Sequence, residues 1–150
     1  MFKSGFINII GNPNVGKSTL MNVMVGEKLS IITAKAQTTR HRIIGIVNGE
    51  NYQMVFSDTP GIVDPVYKLH ESMMRTVSTA VSDADVILYV TDVVETKEKH
   101  ERFIARLKKM QIPVIVAINK TDLAIPATIE LMVLQWQEIL PKATIITVSA

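Results

Sequence analysis

Apolar positions in this chain come in short blocks set between polar or glycine-rich stretches. Residues 6–10 read Phe-Ile-Asn-Ile-Ile, nearly all apolar, as a strand buried in a parallel sheet does. Residues 17–26 predict a helix, with Gly26 as its stop signal. Residues 27–42 carry Thr33, Gln37, Thr38, Thr39, Arg40 and His41 with little periodicity, so a long polar loop is expected. Residues 43–47 and 53–56 flank Asn48-Gly49-Glu50-Asn51, a strong hairpin signal that makes these two strands antiparallel neighbours. A flexible stretch to about residue 68 and a helix ending near Ser82 follow. Residues 86–90 form another apolar strand, closed by Asp92.

Residues 98–110 place Phe103, Ile104, Leu107 and Met110 on one helical face. His100 sits among Lys97, Glu98, Lys99 and Glu101 and reads as a solvated residue. Residues 113–118 are the next strand and run into Asn119-Lys120-Thr121-Asp122. Ile129, Met132, Val133, Trp136 and Leu140 make one stripe on a further helix, with Trp136 expected in the core. Residues 144–148 are the last strand, before Ser149-Ala150. Strands alternating with helices predict a three-layer α/β domain around a mixed, mostly parallel six-stranded sheet. Ligands of such a domain bind at the carboxyl ends of its strands, where the polar clusters fall.

Composition narrows the classes. The 150 residues are 47% hydrophobic, enough for one compact domain. A net charge of +2 is too small to argue for nucleic-acid or membrane binding by this stretch alone. With no cysteine, disulfides and thiolate metal sites are excluded. Neither a signal peptide nor a long apolar stretch is present, so the default expectation is a cytoplasmic domain.

The sharpest chemistry lies in residues 11–19, GNPNVGKST, between the first strand and the first helix. Strand, glycine loop, helix is the context in which GxxxxGK[ST] means a phosphate-binding loop. Gly11 and Gly16 let the backbone turn its N–H groups inward, and Asn12, Pro13, Asn14, Val15, Gly16 and Thr19 are candidate contacts. Lys17 is expected to reach the β- and γ-phosphates and the Ser18 hydroxyl to ligate Mg²⁺. The start of the helix adds its positive dipole end. A plain Gly/Asn/Pro turn is the blander reading, yet four fixed positions meet by chance in roughly one chain of this length in a hundred or fewer.

Asp58-Thr59-Pro60-Gly61 ends a strand beside that loop. Asp58 is placed to hold Mg²⁺ through water, and the Gly61 N–H to sense a γ-phosphate. Asn119-Lys120-Thr121-Asp122 bears on the base. A carboxylate at Asp122 accepts from both N1–H and the 2-amino group of guanine, whereas adenine leaves it unpaired and repelled. Asn119 is expected to brace neighbouring loops, and the Lys120 stem to lie against the base plane.

GNPNVGKS, Thr38-Thr39, DTPG, NKTD and Ser149-Ala150 together resemble a translation-factor-class P-loop GTPase domain. The opening Lys3-Ser4-Gly5-Phe6, the loop KAQTTRHR at 35–42 and DTPGI are similar to one family within it, the Era GTPases. Related assembly GTPases with a doubled domain, and tRNA-modifying GTPases, more often carry Pro-Gly-Thr-Thr-Arg-Asp where this chain has Ala36-Gln37 and His41. The resemblance implies a GTP/GDP-binding switch that hydrolyses GTP slowly, with moving segments at 32–42 and 61–75. It assigns Thr39 to Mg²⁺ and the γ-phosphate, the neighbouring Thr38 being the alternative, and the backbone of Ser149 and Ala150 to the guanine O6. It also implies a KH-type domain downstream, binding the 3′ end of 16S rRNA in small-subunit assembly. Residues 1–150 are then expected to be a GTP-binding domain cut within its last guanine motif, with little RNA affinity of their own. A peripheral place at the inner face of the cell membrane stays open.

Ras-type GTPases have a Gln just after DxxG that orients the attacking water. Here the position is Ile62, so catalysis rests on Mg²⁺, Lys17 and backbone N–H groups. The resemblance adds a potassium ion held partly by Asn14, against which Asn14 as a mere turn residue remains. Two other classes stay in view. A P-loop kinase would need an acceptor lid and has no use for NKTD, and a binding module would hold GTP without turnover.

Overall fold

The computed structural model describes residues 1–12, 14–26, 43–58, 84–94, 101–109 and 111–150. Pro13, Met110 and residues 27–42, 59–83 and 95–100 lie outside the described residues, and with them the expected long loop, His100 and the expected helix ending near Ser82. Ile43, Ile44, Asp58, Arg102, Phe103 and Arg106 are described in their backbone only.

Six strands form one sheet: β1 (Lys3–Gly11), β2 (Ile43–Asn48), β3 (Tyr52–Asp58), β4 (Val86–Asp92), β5 (Val114–Asn119) and β6 (Thr144–Thr147). Their order is β2-β3-β1-β4-β5-β6. Only β2 and β3 are antiparallel; β3-β1, β1-β4, β4-β5 and β5-β6 run parallel. The hairpin closes through the Gly49 N–H on the Tyr52 carbonyl at 2.9 Å, with the Gln53 amide donating to Asn48 Oδ1 at 2.9 Å. Turn chemistry is local, which is why Asn48-Gly49 announces it.

Helices α1 (Lys17–Val25), α2 (Glu101–Lys108) and α3 (Pro126–Ile139) cover the two faces. Leu20 and Met21 of α1 pack on Ile9, Phe56, Leu88, Val90 and Ala117. Ile104 and Leu107 of α2, with Trp136 of α3 and Leu140 just after it, pack on Ile10, Ile87, Tyr89, Val116 and Ile118. Successive strand residues thus serve opposite layers, as the pleat requires. Trp136 is fully buried, its ring centroid 5.7 Å from that of Tyr89 and tilted by 52°. It is a core residue, and the helix starts with Pro126 in its first turn, where a missing N–H costs nothing.

Strand ends depart from the apolar blocks for identifiable reasons. β1 begins at Lys3 because pairing with β3 runs from Lys3↔Tyr52, whereas β4 joins only at Ile7↔Val86. Its first half therefore has one neighbour, and Phe6 stands exposed. β5 starts at Val114 because Pro113 has no N–H for the ladder; its carbonyl accepts from Ile87 at 3.1 Å.

Candidate functional site

The carboxyl ends of β1, β3, β4 and β5 point the same way, and the expected site residues among the described ones gather there. β1 ends at Gly11, and the chain turns through Asn14 and Gly16, both left-handed with φ of 66° and 97°. Asn tolerates that region and Gly is at home in it. A Cβ on residue 16 would also collide with Asn119 Nδ2, so glycine is required there twice over. Gly16 caps α1, and no acidic residue occupies the first turn, leaving the positive end of the dipole uncancelled.

Lys17 is buried to 6% exposure, and its Nζ donates to the Asn12 carbonyl at 3.4 Å. A buried ammonium demands counter-charge or strong acceptors, and a phosphate provides both. Val15 sends its side chain into the core, so it offers the site only backbone. Ser18 and Thr19 follow on the first turn of α1, half-buried. The Asp58 backbone ends β3 directly beside Ile9 of β1.

A second group of residues is bound to this loop. Asn119, 1% exposed, donates from Nδ2 to the Val15 carbonyl at 2.9 Å and accepts the Ala150 N–H on Oδ1 at 3.0 Å. One amide thus clips the phosphate loop to the residues after β6. Lys120, left-handed at φ 59°, donates from Nζ to the Asn14 carbonyl at 2.6 Å. Asp122 lies in a short 3-10 turn, Thr121–Leu123, with its side chain exposed. The Ser149 hydroxyl donates to Asp122 Oδ1 at 2.9 Å, and the Thr121 hydroxyl to the Val148 carbonyl at 3.0 Å. Thr39 and Gly61 lie outside the described residues, as does the Asp58 side chain.

The sequence reading missed the part played by the Ser149 hydroxyl and missed Asp92 altogether as a site residue. Ser149 acts here through its hydroxyl as well as its place in the chain. Asp92, read only as the end of a strand, forms an ion pair with Lys120 at 3.0 Å. Its position offered a signal, since it ends a buried strand at the edge where α/β ligands sit.

A glycine loop between strand and helix, a buried lysine and an Asn-Lys-Thr-Asp motif hydrogen-bonded to that loop define a P-loop GTPase domain. The chain belongs to the family of 50S ribosome-binding GTPases, whose model matches residues 6–120. Within it, this is a GTPase domain of the Era type. It is 49% identical over 127 residues to GTPase Era of Clostridium perfringens, covering 84% of this chain and 43% of that relative. GTPase Era of Clostridium acetobutylicum is 50% identical over 123 residues, with 81% and 42% covered. The crystal structure of an Era in complex with MgGDPNP and nucleotides 1506–1542 of 16S ribosomal RNA superposes with a TM-score of 0.89. It is 39% identical, covering 99% of this chain and 52% of that one. A variant of Aquifex aeolicus Era bound to GDP·AlF4⁻ gives a TM-score of 0.90 at 37% identity, again with 99% and 52% covered. The chain thus spans about half the length of the relatives it matches.

Proposed function

We propose that the domain binds GTP with Mg²⁺ and hydrolyses it slowly, as a nucleotide-dependent switch acting in the cytoplasm. The observation that carries this reading is the Asn119 clip. It joins the phosphate loop to the segment after β6 and leaves Asp122 exposed between them, with Ser149 on one of its oxygens. The other carboxylate oxygen and the same edge then serve the two donors of guanine.

Each residue has a part. Backbone N–H groups of residues 14–16 and the Lys17 ammonium hold the phosphates, in a cradle that the left-handed Gly16 and the uncancelled helix end make fit for an anion. Ser18 and Asp58, at the ends of neighbouring elements, offer the hard hydroxyl and carboxylate oxygens that Mg²⁺ takes, with Thr39 the third ligand. Mg²⁺, when bound, supplies charge neutralisation on the phosphates. Gly61 presents its N–H to the terminal phosphate. Asn14 helps hold K⁺, which supplies positive charge in the absence of a Gln after DxxG. The Lys120 stem lies on the base plane, and the backbone of Ser149 and Ala150 reads the guanine O6.

For the whole protein we propose small-subunit assembly, with a KH-type domain beyond residue 150 binding 16S rRNA. The net charge is only +2, and no helix among the described residues is long and apolar enough to cross a bilayer. The test is turnover: phosphate release from GTP in Mg²⁺ buffer, beside nucleotide retained on the protein. Retention without release leaves a binding module, and neither retention nor release removes the proposal.

A further inference from the structure

Asp92 is 4% exposed at the end of β4, and its ion pair with Lys120 has so far been given no role in nucleotide recognition. Its carboxylate divides between two tasks. Oδ1 accepts the Val94 N–H at 2.9 Å and so closes the turn that leaves the strand. Oδ2 faces Lys120 Nζ at 3.0 Å. The same ammonium donates to the Asn14 carbonyl at 2.6 Å.

Lys120 is therefore held at three points: a left-handed backbone, a carboxylate under β4 and a carbonyl of the phosphate loop. A lysine stem left to itself samples many rotamers and keeps its charge in water. This one has its ammonium held by two partners at once. An ion pair half-shielded in this way positions more than it stabilises, since the Lys120 side chain keeps 33% exposure while that of Asp92 has 5%.

We propose that Asp92 is a positioning residue for base recognition. It pins the Lys120 ammonium so that the lysine stem forms a fixed wall for one face of the purine and keeps the phosphate loop in register with the guanine motif. The inference rests on the guanine reading above and adds to it the residue that sets the geometry of Lys120.

Asp92→Asn separates the two tasks of the carboxylate. The amide oxygen can still accept the Val94 N–H, while the charge that holds Lys120 is gone. The measurement is release of a fluorescent N-methylanthraniloyl GDP in Mg²⁺ buffer, from the parent protein, D92N, K120M and the double variant, with thermal unfolding of each. D92N is expected to speed release about tenfold while unfolding within about two degrees of the parent. The double variant is expected to release no faster than K120M, because Asp92 acts through Lys120. Release from D92N at the parent rate overturns the inference alone, as does a double variant in which the two effects multiply. A parent that holds no labelled GDP overturns the guanine reading and this inference with it.

Discussion

Asn119 Nδ2 occupies the space that a Cβ on residue 16 would need, so the fifth strand and the phosphate loop are fitted to each other at one atom. That fit accompanies the hydrogen bond from the same nitrogen to the Val15 carbonyl. Gly16→Ala is expected to lose on two counts. A left-handed φ of 97° strains any side chain, at a cost of about 1–2 kcal/mol. Pushing Asn119 aside also sacrifices a buried hydrogen bond, about another 1–3 kcal/mol. Urea unfolding should show a loss in the range of those two terms combined, and GTP binding should fall with it. An alanine variant as stable as the parent, with GTP affinity intact, would refute the fit.

The Asp122 carboxylate, steadied by the Ser149 hydroxyl, is the expected reader of the base edge. Asp122→Asn should weaken GTP and favour xanthosine triphosphate, whose 2-oxo group accepts from the new amide. Losing a charged pair of hydrogen bonds should cost GTP on the order of a hundredfold. Ser149→Ala should have a milder effect, about two- to fivefold, since the hydroxyl orients and does not contact the base. Competition binding with GTP, ATP and XTP checks all of this. Equal affinity of the parent for ATP and GTP would sink the assignment.

How Asn14 acts is best tested by cation exchange. Hydrolysis is expected to run severalfold faster in K⁺ than in Na⁺ at equal ionic strength. Asn14→Ala should erase that difference while the requirement for Mg²⁺ survives. The left-handed Asn14 backbone makes a second variant useful, because alanine disfavours that φ. Asn14→Gly relieves the backbone and removes only the side chain, and it should lose K⁺ stimulation equally. The same rate in both salts for the parent rejects the cation.

Nucleotide and RNA binding should separate. The phosphate loop and the guanine motif lie within residues 1–150, so guanine nucleotide is expected to bind in a titration. A net charge of +2, with no basic stripe interleaved with aromatics, predicts no binding of an oligonucleotide from the 3′ end of 16S rRNA at moderate salt. Tight, sequence-selective RNA binding by these residues would move the RNA site onto the GTPase domain.

The layered sheet was legible because each strand is a short apolar run set off by turn residues, and because Asn48-Gly49 specifies an antiparallel hairpin by itself. The phosphate loop was legible for the same reason: its residues are neighbours in the chain. Trp136 could be assigned to the core from its place in a helical stripe. What the pattern could not show is pairing across the sheet. That Asp92 chooses Lys120, or that Ser149 chooses Asp122, depends on the parallel register of β4, β5 and β6, which no local sequence encodes. The exposed first half of β1 belongs to the same class of fact, because burial there is set by where β4 begins.

The rung Ile43↔Asp58, first residue of β2 against last residue of β3, has a mechanical consequence. Residue 42 ends one of the two segments the Era resemblance names as switches, and the other begins a few residues after Asp58. Both are thus tethered to a single rung of a ladder that carries six registered pairs back to the Asn48 turn. A displacement of that rung drags both tethers at once, and neither strand can slide past the other without turning every side chain to the wrong face. The two flanking segments therefore meet the sheet at one shared point, and a change at either is felt first by the same pair of residues.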